Sequence, residues 1–580
     1  MTWYIENPAR FRSERFAIEA LARDADWLNP GSWTIDSAVR AVFEAEIVVG
    51  GQRFPISLRY PAHFPHSPPL VLPRGDQSRW SHHQYGAGGE LCLEYGPDNW
   101  HPDLTGADML ASAERLLDGE RPQDGSEGIV ASRHATTTGQ NLSGDRLRFV
   151  TTRFTAAAFA DLPPGQWRKG MMLMRLVGSP RSHALYMIKT LDAANGDAER
   201  DPDVALTLDD DGFVLPLALV RLLAEPKWPP KGTRSAFLEG LALHGIVLSD
   251  DIRYAVVTRN NTLRAYWLKT EADEISSIAV VPAEAQAQRL DADHAVLAER
   301  RVGIVGCGSL GSKIAAMLAR AGVGKFLLID DDLMARGNLV RHDLDSRDVG
   351  LHKAAGVARR LQLINPAIDC DVREYRLGGQ QSSGSLEGLL LSLAQCDVLI
   401  DASADPKVFN YMASAVAIGS KPLVWAEVFG GGFGGLIARH RPGREPIPAA
   451  MRGMIETWCA AQGKPIPRTA PGYEQQRDDT PLIADDADVT AIAAPGARLA
   501  IDTLIGREPS WFPLSVYLIG LRAEWIFEAP FETRPIDVGS PLPAAPEEDF
   551  GEDAKAEECA QLRSMLENFV RAAAASDTAS

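Results

Sequence analysis

The chain has 580 residues, of which 45% are hydrophobic and 23% charged, and a formal net charge of −18. Single cores rarely grow beyond about 250–300 residues, so several domains are expected. No apolar run approaches the roughly 20 residues of a membrane helix, and the acidic balance disfavours nucleic acid and anionic lipid as partners. The first ten residues lack the basic start and apolar stretch of a secretory leader, which points to the cytoplasm. Six cysteines, Cys92, Cys307, Cys370, Cys396, Cys459 and Cys559, are scattered without the paired spacing of a zinc site.

The first segment, 1–120, carries LRYPAHFPHSPPLV and then SHHQYGAGGELCLEYGPDNWHPDLTGADMLASAERLL. Cys92 lies between a Gly-rich turn and the loop YGPDNWHPD, where partial exposure of a thiol is expected. A thiol is the side chain that accepts an acyl group from an activated carboxyl and still yields it to an amine. An inert strand cysteine between Leu91 and Leu93 is the other reading of the same residue. The pattern Y-P-x-x-F-P-x-x-P-P, a His-rich step, G-x-x-C-L and W-x-P-x-L-T before a helix resembles the ubiquitin-conjugating fold over about 60 positions, from Arg59 to Leu117. The resemblance implies an α+β domain with Cys92 as the thioester cysteine. Where that family has His-Pro-Asn, this chain has His82, His83 and Gln84, so the amide that steadies the oxyanion would be Gln84 or lie elsewhere.

From 121 to 144 the composition (RPQDGSEG, then ATTTGQNLSGD) reads as a linker. From 145 to 290, short apolar runs such as MMLMRLV, ALYMIKTL and RAYWLK alternate with Pro and Gly breaks, predicting a mixed middle domain with no chemistry assigned to it.

Across 291–540 the pattern becomes apolar strands alternating with amphipathic helices, which predicts a parallel Rossmann-like sheet and an α/β and α+β multidomain chain overall. The strand RVGIV is followed by Gly306, Gly308 and Gly311, a helix from Gly311 to Ala321, and a second strand that ends at Asp330 and Asp332. Such glycines permit a tight turn and close approach of phosphate to a helix N-terminus, while a later carboxylate binds ribose. On the glycines alone, a nicotinamide or flavin dehydrogenase is the commonest reading. The stretch LLIDDDLMARGNLVRHDL, then GLHKAAGVARRLQLINP, then DVLIDASADPKVFN is similar to the ubiquitin-activating superfamily that includes the HesA/MoeB/ThiF proteins, over about 110 residues. The resemblance implies ATP rather than NAD, with Mg²⁺. Asp330 and Asp332 would then lie at the ribose and metal-nucleotide end, and Asn338, Arg341 and Lys353 at the phosphates. The aspartate that helps hold the metal aligns with Ala404, leaving Asp401 or Asp405 for that role.

Activating enzymes often carry their own cysteine in a crossover loop, and Cys459 would be that acceptor, handing its acyl group to Cys92. Met451, Met454, Ile455, Trp458 and Cys459 also fall at helical spacing on one apolar face, so a packed thiol is the rival reading. Residues 541–580 read as an acidic, Pro-rich tether and a last amphipathic helix with Leu562, Met565, Leu566, Phe569 and Val570, suited to docking or dimerisation. The order of conjugating segment, middle domain and activating segment resembles the fusion enzymes of bacterial CBASS antiphage operons. That resemblance implies a protein substrate with a free C-terminal carboxylate, a cGAS-like nucleotidyltransferase, together with a deconjugating metallopeptidase and a homodimer. Ubiquitin-like conjugation in another bacterial operon, or a scaffold that binds nucleotide without chemistry, are the alternatives.

Overall fold

The computed structural model describes residues 2–75, 80–81, 83–85, 88–97, 99–120, 139, 142, 144–178, 183–192, 196–225, 228–229, 232–260, 262–282, 290–379, 383–464, 483–541 and 552–577. Two compact units divide the chain, 1–144 and 145–580.

In the first unit, helices Trp3–Glu6 and Pro8–Asp24 precede four strands, β1 (Leu28–Ile35), β2 (Ala41–Val49), β3 (Gln52–Arg59) and β4 (Leu70–Pro73), and helix Gly106–Gly119 follows them. The strands form an antiparallel meander in the order β1-β2-β3-β4. Gly50 and Gly51, both at positive φ, make the two-residue turn between β2 and β3, a conformation that suits the twist of a hairpin. Ile47, Phe54, Ile56 and Leu58 pack against Leu110, Ala113 and Leu117 of the last helix.

A buried carboxylate ties these layers together. Glu14 accepts hydrogen bonds from the Tyr60 hydroxyl at 2.8 Å, from the Gly106 N–H at 2.7 Å and from the Arg10 guanidinium at 2.9 Å. A Cβ at Gly106 would stand 2.0 Å from the Tyr60 hydroxyl, so that position admits only glycine. The Phe64–Pro65 step and the Trp100 loop are also joined, since the Trp100 indole N–H donates to the Pro65 carbonyl at 2.7 Å. The linker expected at 121–144 lies almost wholly outside the described residues.

The middle segment is a barrel. Strands β5 (Leu147–Val150), β6 (Gln166–Val177), β7 (His183–Asp192), β8 (Ala198–Arg200), β9 (Phe213–Arg221), β10 (Tyr254–Arg259), β11 (Thr262–Lys269) and β12 (Glu274–Val281) run in the order β5-β12-β11-β10-β9-β6-β7-β8. β5 also pairs with β7, so seven strands close on themselves and β8 stays outside the ring. Alternation then sorts the side chains: Leu217, Leu219, Tyr254 and Val256 join one cluster, and Ala218, Val220, Ala255 and Val257 another, against helix Arg234–Ala242.

The third sheet comprises β13 (Arg301–Val305), β14 (Lys325–Ile329), β15 (Asp369–Arg373), β16 (Val398–Asp401), β17 (Leu423–Val428), β18 (Gly434–His440), β19 (Val516–Gly520) and β20 (Thr533–Ile536), in the order β15-β14-β13-β16-β17-β18-β19-β20. The first five are parallel and the order reverses between β13 and β16, which opens a crevice at their carboxyl ends. Helices Ser309–Ala321, Lys353–Ile364 and Asp486–Ile505 contribute to the cluster on one face, and helices Ser383–Ala394, Pro406–Gly419 and Pro448–Ala461 to the other. The expected parallel sheet is limited to the first five strands: β18, β19 and β20 add to it antiparallel, and between β17 and β18 the five-residue connection from Phe429 to Phe433 leaves no length for a crossover.

Beneath this sheet Arg439 of β18 and Asp502 are paired at 2.8 Å with both side chains excluded from water, and Ser510 and the Trp511 N–H complete the carboxylate's partners. The chain ends in helix Glu552–Asp577, on which Leu562, Met565 and Leu566 are exposed. Among the described residues, no helix is long and apolar enough to cross a membrane.

Candidate functional site

The glycine turn lies where β13 meets helix Ser309–Ala321. Gly306 has φ +89°, and a Cβ there would meet the Ser403 N at 2.8 Å; at Gly311 a Cβ would meet the Gly306 carbonyl oxygen at 1.9 Å. Nothing stands within 4 Å of a Cβ at Gly308, so that glycine leaves open space rather than filling a contact. Gly308 is also the residue before the helix, with no side chain capping the helix end. Backbone N–H groups at such an end carry partial positive charge and suit a phosphate.

Two side chains hold the turn. Asp330 accepts from the Cys307 N–H at 2.6 Å and from the Asp332 N–H at 2.9 Å, and burial raises its carboxyl. His342 accepts the Leu344 N–H at Nδ1, so its proton sits on Nε2, which donates to the Cys307 carbonyl at 2.8 Å. Burial lowers His342 and keeps the ring neutral. Cys307 itself is buried among them, a small filler whose thiol is raised by burial and by Asp330. His342 was not singled out from sequence; its signal was only its place one residue beyond Arg341.

Cations approach the same place. The Lys353 ammonium pairs with Asp332, whose carboxyl is held down by that charge against its partial burial, and the Lys353 N–H donates to the Asp332 carbonyl at 2.9 Å. Lys313, buried on the first helix, pairs with Asp486 at 2.6 Å. Both lysines act electrostatically on His342, which sets them around the turn. Asn338 shapes its own loop: its side-chain oxygen accepts from the Ala335 N–H at 2.8 Å, in the turn that carries half-buried Arg341.

The two metal candidates separate in their commitments. Asp405 caps helix Pro406–Gly419 through the Lys407 N–H at 2.8 Å and pairs with Arg376 at 3.0 Å, so both its oxygens are engaged. Asp401 ends β16 and is buried; one oxygen accepts from the Ser403 N–H and hydroxyl, and burial pushes its carboxyl up to about 6. A dication would reverse that shift, which makes Asp401 the better fit. Ala404, between them, is held at φ +54°, a left-handed conformation that Asp and Asn tolerate better than alanine. Among the described residues no group of three metal-binding side chains gathers, so a metal here would take its remaining ligands from phosphate and water. Alongside lies a cavity of about 600 Å³ lined by Asp331, Glu374, Tyr375, Arg376, Asp405 and Lys407, at the carboxyl ends of β14, β15 and β16.

The thiols fare differently from expectation. Cys459 has no exposed surface and packs with Met451 and Ile455, and burial with nearby Glu456 pushes its thiol up to about 11. This is the packed thiol of the rival reading: a nucleophile needs thiolate and access, and the helix supplies neither. Residues 465–482, where the crossover would continue, lie outside the described residues. Cys396 is enclosed in the same way, its thiol raised to about 11 by burial, while half-buried Cys370 is raised to about 12 by burial.

Cys92 is 6% exposed, less than expected, because Leu91 and Leu93 anchor its neighbours in the core. Its N–H donates to the His83 carbonyl at 2.8 Å. Nearby Tyr85 is 58% exposed, and the charge of Cys92 first, then burial, raises its phenol. Gln84, offered as the oxyanion amide, is buried and already engaged: its oxygen accepts from the Trp80 N–H at 2.8 Å and its nitrogen donates to the Gly89 carbonyl at 3.0 Å. Its role is to brace the loop. His82 lies outside the described residues.

Comparison with known proteins places a ThiF family match at residues 285–469. The "ATP-dependent ubiquitin transferase-like protein Cap2" of Enterobacter hormaechei subsp. hoffmannii (strain UCI 50) is 38% identical over 115 residues, covering 20% of this chain and 18% of that protein. The "Sulfur carrier protein ThiS adenylyltransferase" of Escherichia coli (strain K12) is 33% identical over 140 residues, 24% of this chain and 52% of that protein. The chain thus matches only about a fifth of the length of its Cap2 relative. Among solved structures, E. coli MccB with ATP is 19% identical at a TM-score of 0.33, covering 44% of this chain and 68% of that one.

Proposed function

We propose that residues 291–540 use ATP to adenylate the C-terminal carboxylate of a partner protein, and that Cys92 then carries the acyl group as a thioester before an amine takes it. The observation that carries this reading is the uncapped helix end at an open glycine, with Lys353 and the Arg341 turn on the same crevice, inside the segment similar to ThiF proteins. A carboxylate oxygen attacking the α-phosphorus, with pyrophosphate leaving, builds negative charge that fixed cations and N–H dipoles stabilise. Lys353 is held in place by Asp332 for that work, and Asp330 with His342 keeps the N–H groups of the turn aimed. Mg²⁺ bound by Asp401 would neutralise phosphate charge. The cavity beyond Asp331 has room for the base and ribose, within the range of about 300–1,000 Å³ common for such ligands.

The printed name of the Cap2 relative supports an ATP-dependent, ubiquitin transferase-like reaction, and the order of segments, resembling CBASS fusion enzymes, is the ground for reading the carboxyl donor as a cGAS-like nucleotidyltransferase, with a metallopeptidase that removes the conjugate and a homodimeric, cytoplasmic enzyme. Cys459 enters as an acyl carrier only if the last turn of its helix opens. The test is ATP–pyrophosphate exchange with the neighbouring operon products, followed by mass spectrometry of the adducts. Cys92→Ala should retain exchange and lose the conjugate; loss of exchange in that variant would overturn the division of labour. A nucleotide-binding scaffold is the second reading, favoured by the engagement of Gln84 and by alanine at 404. Absence of exchange with every candidate partner would establish it.

A further inference from the structure

The nucleotide end of the crevice holds a buried cation that the reading above leaves without a task. Lys313 lies on helix Ser309–Ala321, four residues after Ser309, and is 7% exposed. Residues four apart share one helix face and their side chains lean toward the N-terminus, so a lysine at this position reaches back toward the first turn. Its ammonium pairs with Asp486 at 2.6 Å, at the start of helix Asp486–Ile505. That start lies by the carboxyl ends of the strands, since a Cβ at Gly432, in the connection leaving β17, would run into the Asp488 carboxylate. The Lys313 charge is also felt at His342, whose ring bonds to the Cys307 carbonyl inside the glycine turn.

The two partners are unequal. An ammonium taken out of water is costly, and a carboxylate that stays 56% exposed offsets little of that cost. Asp486 can do without the lysine, because a carboxylate in the first turn is favoured by the free N–H groups and the dipole of its own helix. The Asp485 side chain caps that helix by accepting from the Asp488 N–H at 2.8 Å, and Asp488 pairs with Arg522 at 3.0 Å. Exchanging Asp486 for another anion would therefore leave the helix end capped and the lysine paired.

We infer that Lys313 is a further phosphate-binding cation of the nucleotide site, beside Arg341 and Lys353, and that Asp486 holds its ammonium until the phosphate chain of ATP takes the carboxylate's place. This rests on the reading of the glycine turn as the ATP site. A triphosphate offers several charged oxygens against one carboxylate. Lysine, a compact point charge with rotatable donors, exchanges one anion for another without the fixed fork that arginine imposes. The exchange is of ion pairs only, with no covalent bond made or broken. During adenylation the same ammonium then faces the charge that gathers on the departing pyrophosphate.

The experiment uses the full chain, calorimetric titration with a non-hydrolysable ATP analogue, and two variants that break the pair from opposite sides. Lys313→Met keeps an apolar stem and should weaken binding about tenfold or more, the worth of one hydrogen bond to a charged group. Asp486→Asn keeps the shape of the side chain and removes the competing charge. It should tighten binding about two- to fivefold, what an ion pair with one exposed partner is worth. The opposite signs are the signature, because a pair that only joins two helices would weaken binding, or leave it alone, in both variants. Where Lys313→Met does not fold, Asp486→Asn decides by itself, and the analogue should raise its melting temperature by more than it raises that of the wild type. Wild-type affinity in a folded Lys313→Met protein, or unchanged or weaker binding in Asp486→Asn, overturns the inference. A wild-type protein that does not bind the analogue overturns the ATP reading instead, and the role of Lys313 falls with it.

Discussion

Gly308 and Gly311 offer a controlled contrast, because the same added methyl group meets opposite surroundings three residues apart. At Gly311 a Cβ would stand 1.9 Å from the Gly306 carbonyl oxygen and 3.2 Å from the Ala402 Cβ, so the helix must draw away from β13 or the turn must unwind. The carbonyl belongs to the backbone and an alanine Cβ has no rotamer, so neither can rotate aside. Gly311→Ala should therefore cost about 1–3 kcal/mol, the range for forced overpacking, read as a lower denaturation midpoint with an unchanged slope. At Gly308 the space is open and φ is −73°, an ordinary value for alanine. Gly308→Ala should leave the midpoint within about 0.5 kcal/mol, as for a substitution that breaks no contact. The methyl group would instead occupy the space beside the uncapped helix end. Calorimetric titration with a non-hydrolysable ATP analogue should then show affinity reduced by about tenfold or more, or at least 1.4 kcal/mol. Wild-type nucleotide affinity in a folded Gly308→Ala protein would refute the assignment of phosphate to that helix end. Equal destabilisation of the two variants would refute the close-approach account of the turn.

Asp502→Ala should destabilise the C-terminal unit by about 3–5 kcal/mol, since it leaves the buried Arg439 guanidinium unpaired; a melt within experimental error of wild type would contradict this. Asp502 is held below the ordinary carboxylate range, against its burial, by Ser510, the Trp511 N–H and Arg439, so its contribution is present above the unfolded value and is lost as pH falls through the folded one. The acid arm of the stability profile should accordingly flatten in the variant. For the thiols, Cys559 should be alkylated within minutes at pH 8 in native protein, whereas Cys459 should resist until denaturant is added, because one is exposed and the other enclosed with a raised pKa. Rapid native modification of Cys459 would mean that its helix end opens, and would restore it as an acyl carrier.

Local pattern determined a good part of this protein. The strand–glycine–helix step at 301–321, the carboxylates after β14 and the alternation of strands with amphipathic helices follow from short-range rules of turn geometry and periodicity, and each appears where those rules put it. The parallel core could be read because crossovers of a dozen or more residues announce themselves in the spacing of apolar runs. Only the tertiary structure decided the rest. Closure of the barrel depends on β5 meeting β7, a pairing between distant segments that no window of sequence contains. The fate of each polar side chain depends on partners far along the chain: Cys307 brings Asp330 and His342 to one turn, and Glu14 meets Gly106 across 92 positions. Burial then separated candidates that sequence left level. Asp401 is enclosed with one oxygen uncommitted to helix or arginine, while Asp405 is spent on both, and the thiol of Cys459 turns inward on its helix. A residue's type states what it can do, whereas its desolvation and its hydrogen-bond partners, which only the folded chain assembles, decide whether it is free to do it.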